Sequence, residues 1–288
     1  MAGDLSRDQP VESGGGLRPV TGSGVKNGSW PATCHGISRW KVEGRGSRLP
    51  VHPNSEHTAG ERPVTKRHEQ LLQAIAGNDA FRVGALLSED PSLVKARDTL
   101  GRTPILFSLY LGHDALASLI RERTDAPSLF EAAALGETDL VQGILAASPD
   151  RANSVAKDGF SALGLAVYFG RTGAAGTLLE AGANPDTPSA NEFKVRPLHS
   201  AAAHRDPDVS LALVRLLLEW KAEPNVAQAG GWTPLHQAAT HGRLETVRLL
   251  LQHDASPEAT SDDGRTPLEM ARLKKHSDVE MLLAKSDS

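Results

Sequence analysis

The chain carries one cysteine, Cys34, in 288 residues. An intrachain disulfide framework is excluded, and a reducing compartment is the easier setting for it. Aromatic residues make up only 4% of the sequence, with two tyrosines, six phenylalanines and four tryptophans, so any gathering of them is informative. No run reaches the ~18 consecutive apolar residues that cross a bilayer. The richest stretch, Leu211-Ala-Leu-Val-Arg-Leu-Leu-Leu218, is short and broken by Arg215. The N-terminal segment Met-Ala-Gly-Asp-Leu-Ser-Arg-Asp has no basic region followed by an apolar core, which argues against a secretory signal. Walker loop, His-Glu-x-x-His and Cys-x-x-Cys motifs are all missing, so phosphate-loop, zinc-hydrolase and dithiol chemistry lack their residues. The formal net charge of −4 argues against a protein built to coat nucleic acid or an anionic membrane. The expectation is a cytoplasmic protein that is no enzyme and has no cofactor, metal or membrane segment.

What is present falls into two parts. Residues 1–68 hold 10 Lys and Arg against 6 Asp and Glu, and Gly, Pro and Ser make up 24 of them. Apolar residues there follow neither a period of 2 nor of 3.6. Such a segment cannot bury enough apolar area to offset ~1–2 kcal/mol of backbone entropy per ordered residue, so it is expected to be disordered. Its short motifs are read as incidental. Cys34-His35 has no companion ligands at metal spacing, no strand precedes the Gly22-Ser-Gly24-Val-Lys-Asn-Gly28 loop, and Asn27-Gly-Ser29 has no secretion signal to make it a glycosylation acceptor. Order sets in so abruptly at Val64 that the natural start is expected near that residue.

From residue 69 the chain repeats itself. Gly231-Trp-Thr-Pro-Leu-His-Gln-Ala-Ala-Thr-His-Gly242 is echoed by Gly264-Arg-Thr-Pro-Leu-Glu-Met-Ala271, with Thr233 and Thr266 33 residues apart. Weaker copies are Gly101-Arg-Thr-Pro-Ile105, Gly159-Phe-Ser-Ala-Leu163 and Arg196-Pro-Leu-His-Ser-Ala-Ala202. Degenerate ones are Leu129-Phe-Glu-Ala-Ala-Ala-Leu-Gly136 and Leu71-Leu-Gln-Ala-Ile75, making seven copies. Each reads as a short helix, a turn and a second helix. Thr233 caps the first, Pro234 takes a position where its missing N–H costs nothing, small Ala238 and Ala239 let neighbours approach, and Gly242 ends it. The second helix shows a stripe at i, i+3 and i+4, as in Val83/Leu86/Leu87, Val141/Ile144/Leu145, Ala175/Leu178/Leu179, Val214/Leu217/Leu218, Val247/Leu250/Leu251 and Val279/Leu282/Leu283. One pair cannot bury such a stripe alone, so the copies must stack.

These residues resemble the ankyrin repeat, whose Thr-Pro-Leu-His-x-Ala-Ala followed by Val-x-x-Leu-Leu is closely met over 231–251. The resemblance spans about 220 residues and is to stand-alone, bacterial-type ankyrin proteins. It implies an all-α solenoid over 69–288, with β-hairpin-like fingers between repeats and a concave face built of fingers and first helices. His199 and His236 then fall at the family's structural histidine, bracing the helix start and the neighbouring finger, rather than at a metal site. Three departures stand out. Only 24 residues separate Ile105 from Leu129, so the finger between the second and third copies should be missing or very short. Asp206-Pro-Asp-Val209 reads as an insertion between the helices of the fifth copy. Lys221 and Asp254 replace the glycine that follows the second helix, where a left-handed residue other than Gly costs ~1–2 kcal/mol.

Two catalytic look-alikes are chance. His204-Arg205-Asp206 matches a kinase catalytic-loop tripeptide without its companion Asn, strand lysine or Asp-Phe-Gly, and Ser92-Leu-Val-Lys95 lacks the partner motifs of a β-lactamase. The resemblance instead implies protein binding, with another protein or a peptide lying along the concave face of a monomer. The positions free to vary there are the two residues before the glycine of each first helix and the residues beside the finger glycine. The candidate contacts are Tyr110, Leu111, Tyr168, Phe169, His204, Thr240 and His241 from the helices, and Arg102, Phe160, Trp232 and Arg265 from the fingers. Ala134, Leu135 and Ala203 share the helix positions. Both tyrosines of the chain fall in this set, and Tyr, Trp and Arg are the types that most often dominate interface energy. A blander reading has Tyr110, Leu111 and Phe169 filling space left by the missing finger. The alternative function is a nucleic-acid-associated regulator that uses the basic leader, with Trp30 and Trp40 as stacking contacts.

Overall fold

A computed structural model of the chain describes residues 66–286. The readings placed on the leader lie outside the described residues; these are its disorder, the start near Val64, Cys34-His35, the glycine loop, Asn27-Gly-Ser29, and Trp30 with Trp40. The described residues form fourteen α-helices in seven consecutive pairs. They are α1 Lys66–Ala76 with α2 Ala80–Glu89, α3 Pro104–Tyr110 with α4 Asp114–Arg121, and α5 Leu129–Leu135 with α6 Thr138–Ala147. Next come α7 Ala162–Tyr168 with α8 Thr172–Glu180, and α9 Pro197–Ala202 with α10 Pro207–Glu219. The last two pairs are α11 Pro234–Thr240 with α12 Leu244–Gln252, and α13 Pro267–Lys274 with α14 Ser277–Ser286. Each first helix is only six to eight residues long from the second pair on, too short to persist alone, so packing must hold it.

Local chemistry sets the helix starts. Thr103, Ser128, Ser161, Thr233 and Thr266 each accept a backbone N–H from the first turn, and Ser128/Glu131, Thr233/His236 and Thr266/Glu269 form reciprocal capping boxes. The fifth copy has Arg196 at this place and no side-chain cap. Pro104, Pro197, Pro234 and Pro267 occupy the first turn, where no N–H is needed. The residues Asp206-Pro-Asp-Val209 do not form a loop. Asp206 caps α10 through the N–H groups of Asp208 and Val209, and Pro207 begins a helix of 13 residues, so the extra residues lengthen the second helix at its start.

The second-helix stripes face inward as the spacing requires. Val83, Leu86, Leu87, Leu178, Leu179, Val214, Leu217, Val247, Leu250, Val279 and Leu283 are all buried, each stabilising the stack by ~1.5–3 kcal/mol. Against them pack the small residues of the first helices, Ala132, Ala133, Ala166, Ala201, Ala202, Ala238, Ala239 and Ala271. One continuous apolar cluster runs from Leu129 to Leu283. The buried residues of the first two pairs, from Leu71 to Ile120, lie outside it.

The fingers are tight turns rather than paired strands. The one isolated bridge among the described residues joins Val155 to Ser161. Four fingers share a single pattern, in which Asp98, Ala156, Gln228 and Ser261 donate their N–H groups to the carbonyls of Arg102, Phe160, Trp232 and Arg265, four residues on. Successive fingers are also tied to one another. Ala190 donates to Gly159, Ala229 to Phe193 and Asp262 to Gly230, at 2.7–3.0 Å. Between α4 and α5 the finger is absent, and residues 122–128 make a short link. The fingers on either side of that link close up, so that a Cβ added at Gly101 would come within 2.6 Å of the Lys157 Cβ.

Candidate functional site

The side of the stack made by the fingers and first-helix ends collects the chain's sparse aromatic residues. Tyr110 ends α3 and Tyr168 ends α7, at equivalent places in copies two and four. The third copy has no finger and carries Ala134 at this place, so the two rings reach across it and meet at 5.6 Å between centroids. Phe169 stands 5.1 Å from Tyr110 and 5.0 Å, edge-on, from Tyr168, while Phe160 lies 6.4 Å from Tyr168. Such edge and tilted geometries are the favourable ones for aromatic pairs. The Tyr110 hydroxyl donates to the Asp158 carboxylate at 3.2 Å, joining residues 48 positions apart. Burial, with Asp158 nearby, pushes the Tyr110 phenol well up, and burial also raises the Asp158 carboxyl.

Beneath this cluster, Arg102 is turned inward. Its Nε meets Asp98 Oδ2 at 2.6 Å with both side chains nearly fully buried, and its guanidinium lies 5.1 Å from the Phe107 ring and 5.3 Å from that of Tyr110. Asp98 also accepts the backbone N–H groups of Leu100 and Arg102, so one carboxylate builds the finger and holds the cation under the aromatic rings.

The expected contacts therefore divide into two groups. Arg102, Phe160, Trp232 and Thr240 are buried and shape the surface from below. The Trp232 ring sits 5.4 Å from that of His236, edge-on. Tyr110, Leu111, Tyr168, Phe169, His204 and His241 are half-buried, and Arg265 is exposed with its Nε 3.2 Å from Asp263. The structure brings Tyr110, Phe160, Tyr168 and Phe169 into one cluster. His204, Thr240 and His241 continue the line of first-helix ends toward the C-terminus, and Arg265 and Trp232 stand on separate fingers. Asp158 was missed in the sequence. The signal that could have found it is an acidic finger residue two positions before Phe160, brought near Tyr110 by the short spacing of copies two and three.

The two structural histidines work as expected. His199 Nε2 bonds the Trp232 carbonyl at 2.9 Å, and His236 Nε2 bonds that of Arg265, also at 2.9 Å. Each links a first helix to the following finger. The Thr233 hydroxyl lies 2.8 Å from His236 Nδ1, a contact that Arg196 cannot supply to His199. Burial pushes the His199 imidazole down to about 4 and lowers His236 as well.

Stacked helix pairs, a continuous core and fingers riveted by histidine and backbone bonds define a repeat solenoid, in which each unit is stable through its neighbours. A family model described as "Ankyrin repeats (3 copies)" matches residues 129–228 and 198–288, more than half of the chain, which thus belongs to the ankyrin repeat proteins. The matched region begins at Leu129, where the continuous core also begins. The chain is 28% identical over 187 residues to the "Probable 26S proteasome regulatory subunit p28" of Saccharomyces cerevisiae, covering 60% of this chain and 79% of that one. These findings make it a protein–protein interaction module. Among the described residues no helix is long and apolar enough to cross a membrane, and no group of three or more His, Cys, Asp or Glu side chains could hold a metal ion.

Proposed function

We propose that this protein acts as a non-catalytic, cytoplasmic monomer that binds a protein or peptide along the finger and first-helix side, the concave face of an ankyrin stack. The observation that carries the reading is the aromatic cluster across the missing finger. In a chain with 4% aromatic residues, Tyr168 and Phe169 stand half-exposed against Tyr110, which is itself held by Asp158 and Arg102. A rigid, partly open aromatic patch is what a binding hot spot needs, since little side-chain entropy remains to be lost on association. His204, His241 and the finger residue Arg265 extend the surface, and Trp232 and Thr240 are buried beneath it. Arg102 and Phe160 support it from below.

The resemblance to a probable 26S proteasome regulatory subunit makes proteasomal regulatory components the first partner class to try. The test is affinity capture on the full chain, compared with a Tyr168→Ala/Phe169→Ala variant whose circular dichroism matches the parent. A protein held by the parent and lost from the variant supports the reading. Equal retention by both would place the interface elsewhere. The alternative function through a basic leader rests on residues 1–68, of which 1–65 lie outside the described residues.

A further inference from the structure

Beyond the aromatic cluster, the same line of first-helix ends changes character. From residue 69 onward the chain holds 21 Lys and Arg against 29 Asp and Glu, so the repeat region as a whole is acidic. In copies five to seven, however, the segments that close the first helices carry His204-Arg205, His241 with Arg243, and Lys274-Lys275-His276. These groups are joined from repeat to repeat. The Arg243 guanidinium donates to the carbonyls of His204 at 2.9 Å and Arg205 at 2.6 Å, one repeat back. His276 Nε2 lies 3.1 Å from the Thr240 carbonyl, and a Cβ on Gly242 would fall 2.5 Å from its Nδ1, so the His276 ring rests directly on that turn. The cations sit at helix C-termini, where carbonyl dipoles favour positive charge.

Asp208 and Asp278 are exposed in the first turns of α10 and α14, and Asp206 lies within electrostatic reach of His204 and Arg243, while three carboxylates beside the strip have partners of their own. Asp206 caps α10 through two backbone N–H groups, Glu245 pairs with Arg248 at 3.4 Å, and Glu280 pairs with Arg272 at 3.0 Å. Among the described residues, no carboxylate lies within ion-pair range of Arg205, Arg243, Lys274 or Lys275. Arg205, Lys274 and Lys275 are exposed, and His204, His241 and Arg243 are half-buried. Burial first, then Arg243, His276 and Lys274, push the His241 imidazole down to about 4.

We propose that the strip of His204, Arg205, His241, Arg243, Lys274 and Lys275 docks an acidic segment of the protein partner. This deepens the proposed function and rests on it: apolar residues of the ligand lie on Leu111, Tyr168 and Phe169, and its carboxylates lie toward the C-terminal repeats. The charge pattern thereby fixes the direction in which the ligand runs. A protein segment fits better than a nucleic acid. A polyanion of many phosphates would extend past this short strip into the field of an acidic domain, and the strip itself has no Phe, Tyr or Trp on which bases could stack.

The test uses the full chain and three fluorescein-labelled probes in anisotropy titrations at low and physiological salt. The probes are a glutamate decapeptide ending in Phe-Leu, its lysine counterpart, and a decathymidylate. The comparison protein is the Arg205→Glu/Lys274→Glu/Lys275→Glu variant, whose changed residues are exposed, whose leader is unaltered, and whose melting curve is checked against the parent. The expected result is binding of the acidic peptide that weakens with salt and falls at least tenfold in the variant, with no binding of the lysine peptide. Equal affinity for parent and variant overturns the proposal. So does tighter, strip-dependent binding of the oligonucleotide, which would assign the strip to nucleic acid. Loss of the captured partner in the Tyr168/Phe169 variant, together with no acidic-peptide binding, would leave the wider function standing and this proposal refuted.

Discussion

Single residues show where sequence chemistry was sufficient and where it was not. Lys221 and Asp254 replace a glycine of the repeat, and both take the left-handed conformation that the pattern demands, with φ of 65° and 62°. Lys221→Gly relieves that strain, offset in part by the greater freedom of glycine in the unfolded chain. A gain of about 1 kcal/mol is expected, raising the melting temperature by a few degrees. A lower melting temperature in thermal denaturation would mean that the Lys221 side chain contributes something its position does not reveal. Gln237 illustrates the opposite case. It occupies the place held by Phe107, Leu165 and Met270 in other copies, and nothing in its sequence neighbourhood showed that its amide would be 1% exposed with neither polar atom bonded. Gln237→Leu should stabilise by about 1–3 kcal/mol, because a buried amide without partners loses its hydration for no return. Chemical denaturation of the two proteins measures this, and an unchanged midpoint would indicate a bound water serving the amide.

At the scale of elements, most of the architecture was legible. Thr-Pro starts, alanine pairs and the i, i+3, i+4 stripes each have one physical explanation, and the seven pairs form where these signals lie. The 24-residue spacing of copies two and three also foretold the absent finger. What replaced it was not legible. The bond from Tyr110 to Asp158, the ion pair of Arg121 with Glu137 at 2.7 Å and the contact of Arg171 with Asp114 at 3.3 Å join residues far apart in sequence, and they depend on how the pairs settle against one another. The inserted residues of copy five were misplaced for a related reason, since only the lengthened α10 shows that Asp206-Pro207 starts a helix. These polar straps and the ring contacts of Tyr110 join the first two pairs to the rest, for the core running from Leu129 to Leu283 does not extend into them. Hydrogen exchange should therefore show residues 66–121 opening in a separate and less stable step than residues 129–283. Uniform protection across the short link at 122–128 would contradict this division.

For the molecule as a whole, the arrangement orders its chemistry along one side. Aromatic groups gather where the finger is missing, in copies two to four, and cations line the ends of the first helices in copies five to seven. The repeat register singles out the positions that are proposed to face a partner. It could not tell that Arg102, Phe160, Trp232 and Thr240 would be buried, because burial at those places depends on the neighbouring finger rather than on local pattern. The proposed surface is therefore narrower than the register suggested, centred on Leu111, Tyr168, Phe169, His204 and His241.

The most direct test of that account is site-specific photocrosslinking in source-cell lysate. A photoreactive phenylalanine analogue is placed at Phe169 in one protein and at Gln142, exposed on the second helix α6, in another. The account predicts a discrete adduct from position 169, absent from position 142 and reduced by the Arg205→Glu/Lys274→Glu/Lys275→Glu changes. A partner crosslinked from position 142 and not from 169 would contradict it and move the interface to the opposite helices.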